Sequence, residues 1–280
     1  MDNNVLPALI DFVAIPNQSQ EFDPEFHTNG LIQKAITHCK SWVEAQGVTG
    51  LTIEEHKEEG AGPLLLLEIP GTKPEAKTVL MYSHMDKQPP MEPWDEGLGP
   101  ASPVVRGDKL YGRGSSDDGY GLLAGITMIK TLQKFGEDHP RVVYLCETEE
   151  ESGSPNLLTY IDKLKPKIGS VDTVMIIDSG GANYDQLWTD GSLRGVLEYK
   201  LNVSLMKSAM HSGEGSGAVA SSFRVLRQLL DRIEDPVSGE IKLPELHAPL
   251  PPRIYSAVAK TVATIGPEHY LSGYSKHEQT

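Results

Sequence analysis

The composition, with 39% hydrophobic and 23% charged residues and no low-complexity tract, is that of a globular protein, and 280 residues can form one large domain or two moderate ones. The net charge of −14 argues against nucleic acid and against an anionic membrane surface as partners. The chain has only two, widely separated cysteines, no basic-then-apolar N-terminus and no apolar stretch of roughly 20 residues, so we expect a cytoplasmic protein.

Short apolar runs bounded by turn residues predict buried strands, and longer runs with apolar residues at helical spacing predict helices. The predicted elements are helix 6–13, helix 29–46, strand 63–69, the strand ending at His84, helix 119–135, strand 142–146, helix 156–164 and strand 174–177. This alternation predicts an α/β fold with a mainly parallel or mixed sheet flanked by helices on both faces. Residues 87–107 are rich in Pro and Gly and predict a long, functional loop.

The character of the sequence changes after about Gly191, where we place a domain boundary. Residues 195–206 alternate as a strand, a Gly/Ser-rich loop follows, and a helix is predicted over 218–233. The apolar residues of that helix cover more than one face, which fits either a dimer contact or a helix packed within the monomer. We therefore predict two domains, residues 1–190 and a smaller α+β domain over residues 191–280.

Acidic or imidazole side chains follow three of the predicted strands. These groups are His84-Met85-Asp86, Glu149-Glu150-Glu151 and Asp178, and Asp117-Asp118 adds a fourth group in a Gly-rich turn ahead of a helix. In an open α/β sheet, ligands bind beyond the carboxyl ends of the strands. We therefore expect these side chains to meet there and to form a metal site of an enzyme.

Imidazole nitrogen and carboxylate oxygen are ligands of zinc, and catalytic zinc sites leave a position open for a water whose pKa falls to about 7. Asp117 suits a bridge between two metals, because a carboxylate has two oxygens and the neighbouring glycines let the backbone approach closely. Asp86 can accept the second N–H of His84 and so fix its tautomer. Asp178 completes a ligand set.

The adjacent Glu150 and Glu151 can divide two tasks between them. One can coordinate a metal while the other accepts a proton from the metal-bound water. A general base must titrate near the working pH, and burial beside another carboxylate raises the pKa of a glutamate.

Each of these residues also has an ordinary structural interpretation. A single His-x-Asp triplet usually has no function, and a run of glutamates is usually a solvated patch or the start of a helix. An aspartate after a strand is often a turn residue or a helix cap, and Asp118 could cap the helix that begins at Gly119. The metal-site interpretation depends on the order of the groups and on their shared position at strand ends.

Three segments form a combined motif: His84-Met85-Asp86-Lys87-Gln88-Pro89-Pro90 with Trp94, Leu110 to Asp118, and Glu150-Glu151-Ser152-Gly153-Ser154. Together they resemble the co-catalytic zinc hydrolases of the aminoacylase, carboxypeptidase G and carnosinase family, peptidase family M20. The Gln-Pro-Pro stretch with Trp94, and Glu147 ahead of Glu150-Glu151, are most similar to its carnosinase-like dipeptidases. The resemblance runs from about Leu6 to at least Ile241.

The resemblance implies hydrolysis of an amide bond beside a free carboxylate, in a dipeptide or an N-acyl amino acid, with two zinc ions as cofactors. Manganese or cobalt are alternatives, because carboxylate-rich ligands do not select zinc. The implied roles are His84 and Asp178 as ligands of one zinc, Glu151 as ligand of the other, Asp117 as the bridge, Glu150 as general base and Asp86 as the partner of His84.

The family also has a smaller lid domain that commonly dimerises, so residues 191–280 are expected to be a lid and residues 1–190 the catalytic part. The segment Met210-His211-Ser212-Gly213 resembles the lid motif whose histidine stabilises the tetrahedral oxyanion, often in the partner's active site. The alternative for His211 is an ordinary loop histidine.

Two departures from the family pattern stand out. Gly119-Tyr120 lies where the family usually has a lysine, and the 280 residues end before the family's last histidine ligand and its carboxylate-binding arginine. None of His247, His269 and His277 lies in the setting expected of that ligand. We therefore expect a fragment that binds at most one metal firmly and has little or no peptidase activity. The alternative function is an inert scaffold that acts by dimerising.

Overall fold

A five-stranded mixed sheet lies at the centre of the first part of the chain. In the computed structural model, which describes residues 4–266 and Glu268, the chain divides into one unit over residues 1–180 and a second over residues 181–280. The predicted boundary near Gly191 lies inside the second unit, and the roles predicted for the two domains stay predictions.

The main sheet combines a parallel and an antiparallel half. The elements of the first unit are α1 (Val5–Val13), α2 (Leu31–Ala45), β1 (Thr52–His56), β2 (Leu64–Ile69), β3 (Thr78–His84), β4 (Val104–Arg106), β5 (Lys109–Tyr111), α3 (Gly119–Phe135), β6 (Arg141–Glu147), α4 (Leu157–Ile168) and β7 (Thr173–Ile176). In the order β1-β2-β6-β3-β7, β3 pairs in parallel with β6 and β7, and β2 pairs antiparallel with β1 and β6. The predicted α/β fold with a mixed sheet is confirmed, while β4 and β5 form a separate hairpin that the sequence did not predict.

Helices cover both faces of this sheet. Leu65 and Leu67 of β2 pack in the cluster that contains the apolar residues of α1, α2 and α3. Leu64 and Leu66 point to the opposite face and pack with Tyr160 and its neighbours on α4. Because successive side chains of a strand alternate between faces, burial on both sides explains why β2 begins with four leucines in a row.

The parallel pairing of β3 and β6 aligns the two loops that carry the predicted site residues. His84 pairs with Glu147 at the end of the ladder, and the N–H of Met85 donates to the carbonyl of Glu147 at 2.8 Å. Helix α3 starts directly after Asp118 and lies close to the sheet, since a Cβ on Gly125 would lie 2.6 Å from the Tyr144 ring. The loops after β3 and β6 are therefore attached to the buried centre of the sheet, whereas Asp178 follows the exposed edge strand β7.

The second unit contains α5 (Ser212–Gly215), α6 (Ser222–Leu230) and α7 (Pro252–Ile265). Helix α6 is shorter than the predicted helix 218–233, because Ser221 caps it by accepting a hydrogen bond from the N–H of Arg224. The prediction of a strand over residues 195–206 was wrong, since these residues form no strand, and Val196 and Tyr199 are exposed. Apolar alternation specifies one face of a strand, but a strand also needs a neighbour for its backbone N–H and C=O groups.

The cysteines and the helix lengths were both considered in the sequence-based expectation about location. Cys39 and Cys146 are buried, free thiols, and burial raises the pKa of Cys39 to about 12. Among residues 4–266, no helix is both long enough and apolar enough to cross a bilayer.

Candidate metal centre

His84 lies among carboxylates at the carboxyl ends of β3, β6 and β7. It is the last residue of β3 and is 1% exposed. Its Nε2 atom lies 3.1 Å from Asp117 Oδ1, 3.6 Å from Asp178 Oδ2 and 3.9 Å from Glu150 Oε2. The structure therefore brings together these four residues, which the sequence indicated only as separate groups.

Asp86 contacts both His84 and the glutamate turn. The Nδ1 atom of His84 lies 3.1 Å from the Asp86 carbonyl oxygen and 3.3 Å from Asp86 Oδ1. The same carboxylate accepts hydrogen bonds from the backbone N–H groups of Glu150, at 3.2 Å, and Glu151, at 3.0 Å. The sequence predicted only the contact with His84. The structure shows that Asp86 also joins the loop after β3 to the turn after β6.

Two overlapping groups of side chains could hold metal ions. Ligand atoms of His84, Asp117 and Glu151 lie within 4.8 Å of one another, and so do those of His84, Asp118 and Asp178. One nitrogen with several carboxylate oxygens is a donor set that zinc accepts. Glu151 Oε1 and Asp118 Oδ1 are buried and accept no hydrogen bond from any described residue, and a cation would satisfy both. The residues present therefore fit a metal.

Asp118, which the sequence placed in one of the four groups without a ligand role, has a ligand atom close to those of His84 and Asp178. Its side chain accepts no cap hydrogen bond from α3 among the described residues, so the alternative role as a helix cap is wrong. Instead, its Oδ2 atom accepts a 3.1 Å hydrogen bond from the backbone N–H of His84. Burial, with a further contribution from Asp178, raises the pKa of Asp118 to about 8. Its position directly after Asp117 was the only sequence feature that connected Asp118 with the site.

The carboxylates shift one another's pKa. Burial, together with the charges of Asp178 and Glu151, raises the pKa of Glu150 to about 7, although His84 opposes this effect. Burial also raises the pKa of Glu151 and of Asp178. The pKa of Asp117 is lowered, chiefly by its hydrogen bond with His84. Glu150 can thus exchange a proton near neutral pH while Asp117 stays ionised.

Lys87 fastens the loop after β3 to the end of α1. It is 2% exposed, and its Nζ atom donates to the carbonyl oxygens of Phe12, at 2.9 Å, and Ile15, at 2.6 Å. Burial lowers the pKa of Lys87 to about 7. The sequence did not predict that Lys87 is buried, because a lysine in a loop is usually exposed.

Tyr120 belongs to the Gly119-Tyr120 stretch, where the resembling family usually has a lysine. Its hydroxyl group donates a 3.2 Å hydrogen bond to the carbonyl oxygen of Ser179. Tyr120 therefore ties the first turn of α3 to the segment that carries Asp178.

The two described histidines of the second unit, His211 and His247, each contact a nearby backbone group. His211 precedes α5 and accepts a 3.1 Å hydrogen bond at Nδ1 from the N–H of Gly213. His247 Nε2 lies 2.6 Å from the carbonyl oxygen of Ile241. His269 and His277 lie outside the described residues. The role of His211 in oxyanion stabilisation stays a prediction.

Comparison with known proteins places this geometry in context. The sequence model described as Peptidase family M20/M25/M40 matches residues 80–274, which include every predicted site residue. The Beta-Ala-His dipeptidase of Mus musculus is 30% identical over 253 residues, covering 87% of this chain and 51% of that protein. The Cys-Gly metallodipeptidase DUG1 of Candida albicans is 28% identical over 252 residues, covering 84% of this chain and 50% of that protein. The chain thus spans about half the length of the curated relatives it matches.

The fold is similar to that of solved structures as well. An M20 family metallo-carboxypeptidase from Sulfolobus solfataricus has a TM-score of 0.69 and 25% sequence identity to this chain. The superposition covers 99% of this chain and 61% of the other. The similarity therefore extends over both units described above.

Proposed function

This chain belongs to peptidase family M20/M25/M40, and we propose from that membership that the site around His84 hydrolyses the peptide bond of a dipeptide with a metal-activated water. The observation that carries the proposal is the meeting of one buried imidazole with the carboxylates of Asp117, Asp178 and Glu150 within 3.9 Å. Two relatives are named as dipeptidases, and one of these names specifies a metallodipeptidase.

The proposed cofactor is a pair of zinc ions, of which we expect this chain to hold at most one firmly. His84 and Asp178 would hold one ion, Glu151 the other, and Asp117 would bridge them. When bound, zinc lowers the pKa of a coordinated water to about 7 and polarises the carbonyl group of the substrate. Manganese and cobalt are alternatives, because three of the four ligands are carboxylates.

Asp86 would fix the imidazole of His84 in the form that a metal ligand requires. A proton on Nδ1 can be donated to Asp86, which would leave the lone pair of Nε2 available to a metal ion. Both His84 and Asp86 are buried, so this arrangement is shielded from exchange with solvent water.

Glu150 would be the general base. Its carboxylate is half-buried, and its pKa of about 7 places it where a proton can be both accepted and released at neutral pH. Asp86 holds the backbone N–H of Glu150 and so sets the position of its side chain. Glu150 would take a proton from the attacking water and pass it to the leaving amine.

The test is hydrolysis of β-Ala-His and Cys-Gly by the zinc-loaded chain, with bound zinc measured in the same preparations. Because the predicted ligand set of the second ion is incomplete, we expect slow hydrolysis by the wild-type chain. Glu150→Gln should retain zinc and lower that rate further, by about 100- to 10,000-fold. Glu149→Gln is a matched control in the same turn, because Glu149 contacts Asn156 and does not face His84. A wild-type chain that binds no zinc, or a Glu150→Gln variant with unchanged turnover, would contradict the proposal. Zinc binding without hydrolysis would instead favour the inert scaffold.

Several finer statements stay predictions. They are N-acyl amino acids as a second substrate class, a homodimer through residues 191–280, and a cytoplasmic location. Comparing the rates for N-acetyl amino acids and dipeptides separates a deacylase from a dipeptidase. Sedimentation of the chain tests the dimer.

A further inference from the structure

The side chain of Gln88 holds the carboxylate of Glu151. Its Nε2 atom donates to Glu151 Oε2 at 2.5 Å. The other oxygen of the same carboxylate, Oε1, is buried and accepts no hydrogen bond from any described residue. The two oxygens of Glu151 are therefore in different environments, one occupied by an amide donor and the other without a donor.

The loop after β3 places Glu151 at a second point as well. The backbone N–H of Glu151 donates to Asp86 Oδ2 at 3.0 Å. Between Asp86 and Gln88, Lys87 forms an isolated parallel bridge with Gln18 and directs its side chain towards α1. Because side chains alternate along extended backbone, Asp86 and Gln88 both lie on the side of the glutamate turn.

We propose that Gln88 is a positioning residue that makes Glu151 a metal ligand through one oxygen only. The proposal rests on the metal-dependent function proposed above. A carboxylate that is not hydrogen-bonded turns easily about its last torsion angle and can offer either oxygen or both. The Gln88 amide removes this freedom by occupying Oε2, which leaves Oε1 as the donor atom.

The chemistry of glutamine suits this position. The cluster around His84 already contains several carboxylates, so an acidic residue at position 88 would add repulsion. A lysine or arginine could donate the same hydrogen bond, but its positive charge would compete with a cation. A neutral amide can orient Glu151 without changing the charge that the metal meets.

The experiment compares the zinc affinity of the wild-type chain with that of Gln88→Leu, by competition with a chromophoric chelator. Leucine has a similar size and lacks the amide donor. We expect Gln88→Leu to bind zinc about 10- to 100-fold more weakly. The matched control is Gln33→Leu, since Gln33 makes the same kind of contact, 3.4 Å from its Nε2 to Glu55 Oε2, on an exposed surface. Gln33→Leu should leave zinc affinity unchanged.

A double-mutant cycle separates positioning from a general structural role. In a Glu151→Ala background the ligand is absent, so adding Gln88→Leu should weaken zinc binding no further. An equal effect of Gln88→Leu in both backgrounds, or no effect in either, would overturn the proposal. If the wild-type chain itself binds no zinc, the proposed function fails and this proposal falls with it. If the wild-type chain binds zinc and Gln88→Leu binds it with the same affinity, the role of Gln88 is refuted and the proposed function is not.

Folding is checked by urea unfolding in the presence of chelator. Should Gln88→Leu fail to fold, Gln88→Asn replaces it, because its amide is one methylene too short to reach Glu151 while the position stays polar. The same loss of zinc affinity is expected for Gln88→Asn. Wild-type affinity in that variant would overturn the proposal.

Discussion

The carboxylate of Asp86 accepts a 3.0 Å hydrogen bond from the backbone N–H of Glu151. This contact connects two loops that are 65 residues apart in the chain and follow neighbouring parallel strands. The Asp86 carboxylate also lies 3.3 Å from Nδ1 of His84, so it places a histidine and a glutamate relative to each other.

Asp86→Asn should therefore weaken zinc binding by about 10- to 100-fold. The amide keeps one acceptor oxygen, so its NH2 group would face one of the two backbone N–H groups, which costs about 1–3 kcal/mol of unfolding free energy. Zinc titration and urea unfolding measure the two effects. Asp138→Asn is the control, because Asp138 is exposed and contacts Lys73 away from the site. If Asp86→Asn bound zinc as tightly as the wild type, Asp86 would not be needed to place His84 and Glu151 for metal binding.

Glu150→Gln should stabilise the chain at alkaline pH when chelator is present. The pKa of Glu150 is raised from 4.5 to about 7, so its contribution to stability is full below about 4.5 and is lost as the pH rises through 7. Glutamine does not ionise and avoids this loss. We expect the variant to gain about 1 kcal/mol over the wild type between pH 5 and pH 8, a value reduced for solvent screening because the side chain is 35% exposed.

Urea unfolding at pH 5 and pH 8 measures this difference, with the exposed Glu44→Gln on α2 as the control. A gap between Glu150→Gln and the wild type that stays constant with pH would show that Glu150 does not titrate in this range.

Lys87→Met should change the slope of stability between pH 7 and pH 10. Burial lowers the pKa of Lys87 from 10.5 to about 7, so the stability it contributes is present above 10.5 and is lost as the pH falls towards 7. As the pH falls, the free energy of unfolding of the wild type should decrease by up to about 1.4 kcal/mol per pH unit because of Lys87. Lys87→Met should not show this decrease. Unfolding curves across this range test the difference, and the exposed Lys34→Met should keep the wild-type slope.

Gly121→Ala should be destabilising although alanine normally favours a helix. A Cβ atom at Gly121 would lie 2.7 Å from both carboxylate oxygens of Asp118 and 2.7 Å from the carbonyl oxygen of Ile177. We expect a loss of about 1–3 kcal/mol from overpacking, which exceeds the gain in helix propensity of about 1 kcal/mol. Thermal unfolding measures the change. Gly180→Ala, where nothing lies within 4 Å of the added atom, should be close to neutral.

The bounds of α3 and the end of β3 could be predicted because their signals are local. Helix α3 begins at Gly119 and ends at Phe135 as predicted, and Gly136 stops it with a φ of 70° that favours glycine. The run that ends at His84 is apolar, contains residues that favour strands and is followed by Pro and Gly. These features are sufficient to locate β3 and its last residue.

The contacts of the loop after β3 could not be predicted, because their partners are distant in sequence. Lys87 reaches Ile15 across 72 residues, and Gln88 reaches Glu151 across 63. Neither residue type carries a signal of burial or of a carboxylate partner. The position of β2 between β1 and β6 could not be predicted for the same reason, because the order of strands depends on the packing of the whole sheet.

The hydrogen bond from Met85 to Glu147 extends the β3–β6 ladder beyond His84. Met85 is 1% exposed, so its amide hydrogen should exchange with deuterium only when the central strands separate. Binding loops usually open far more readily than the body of a protein. The segment between His84 and Asp86 should therefore open only with the innermost strands, and its histidine should exchange like a core residue rather than like a residue of a surface loop.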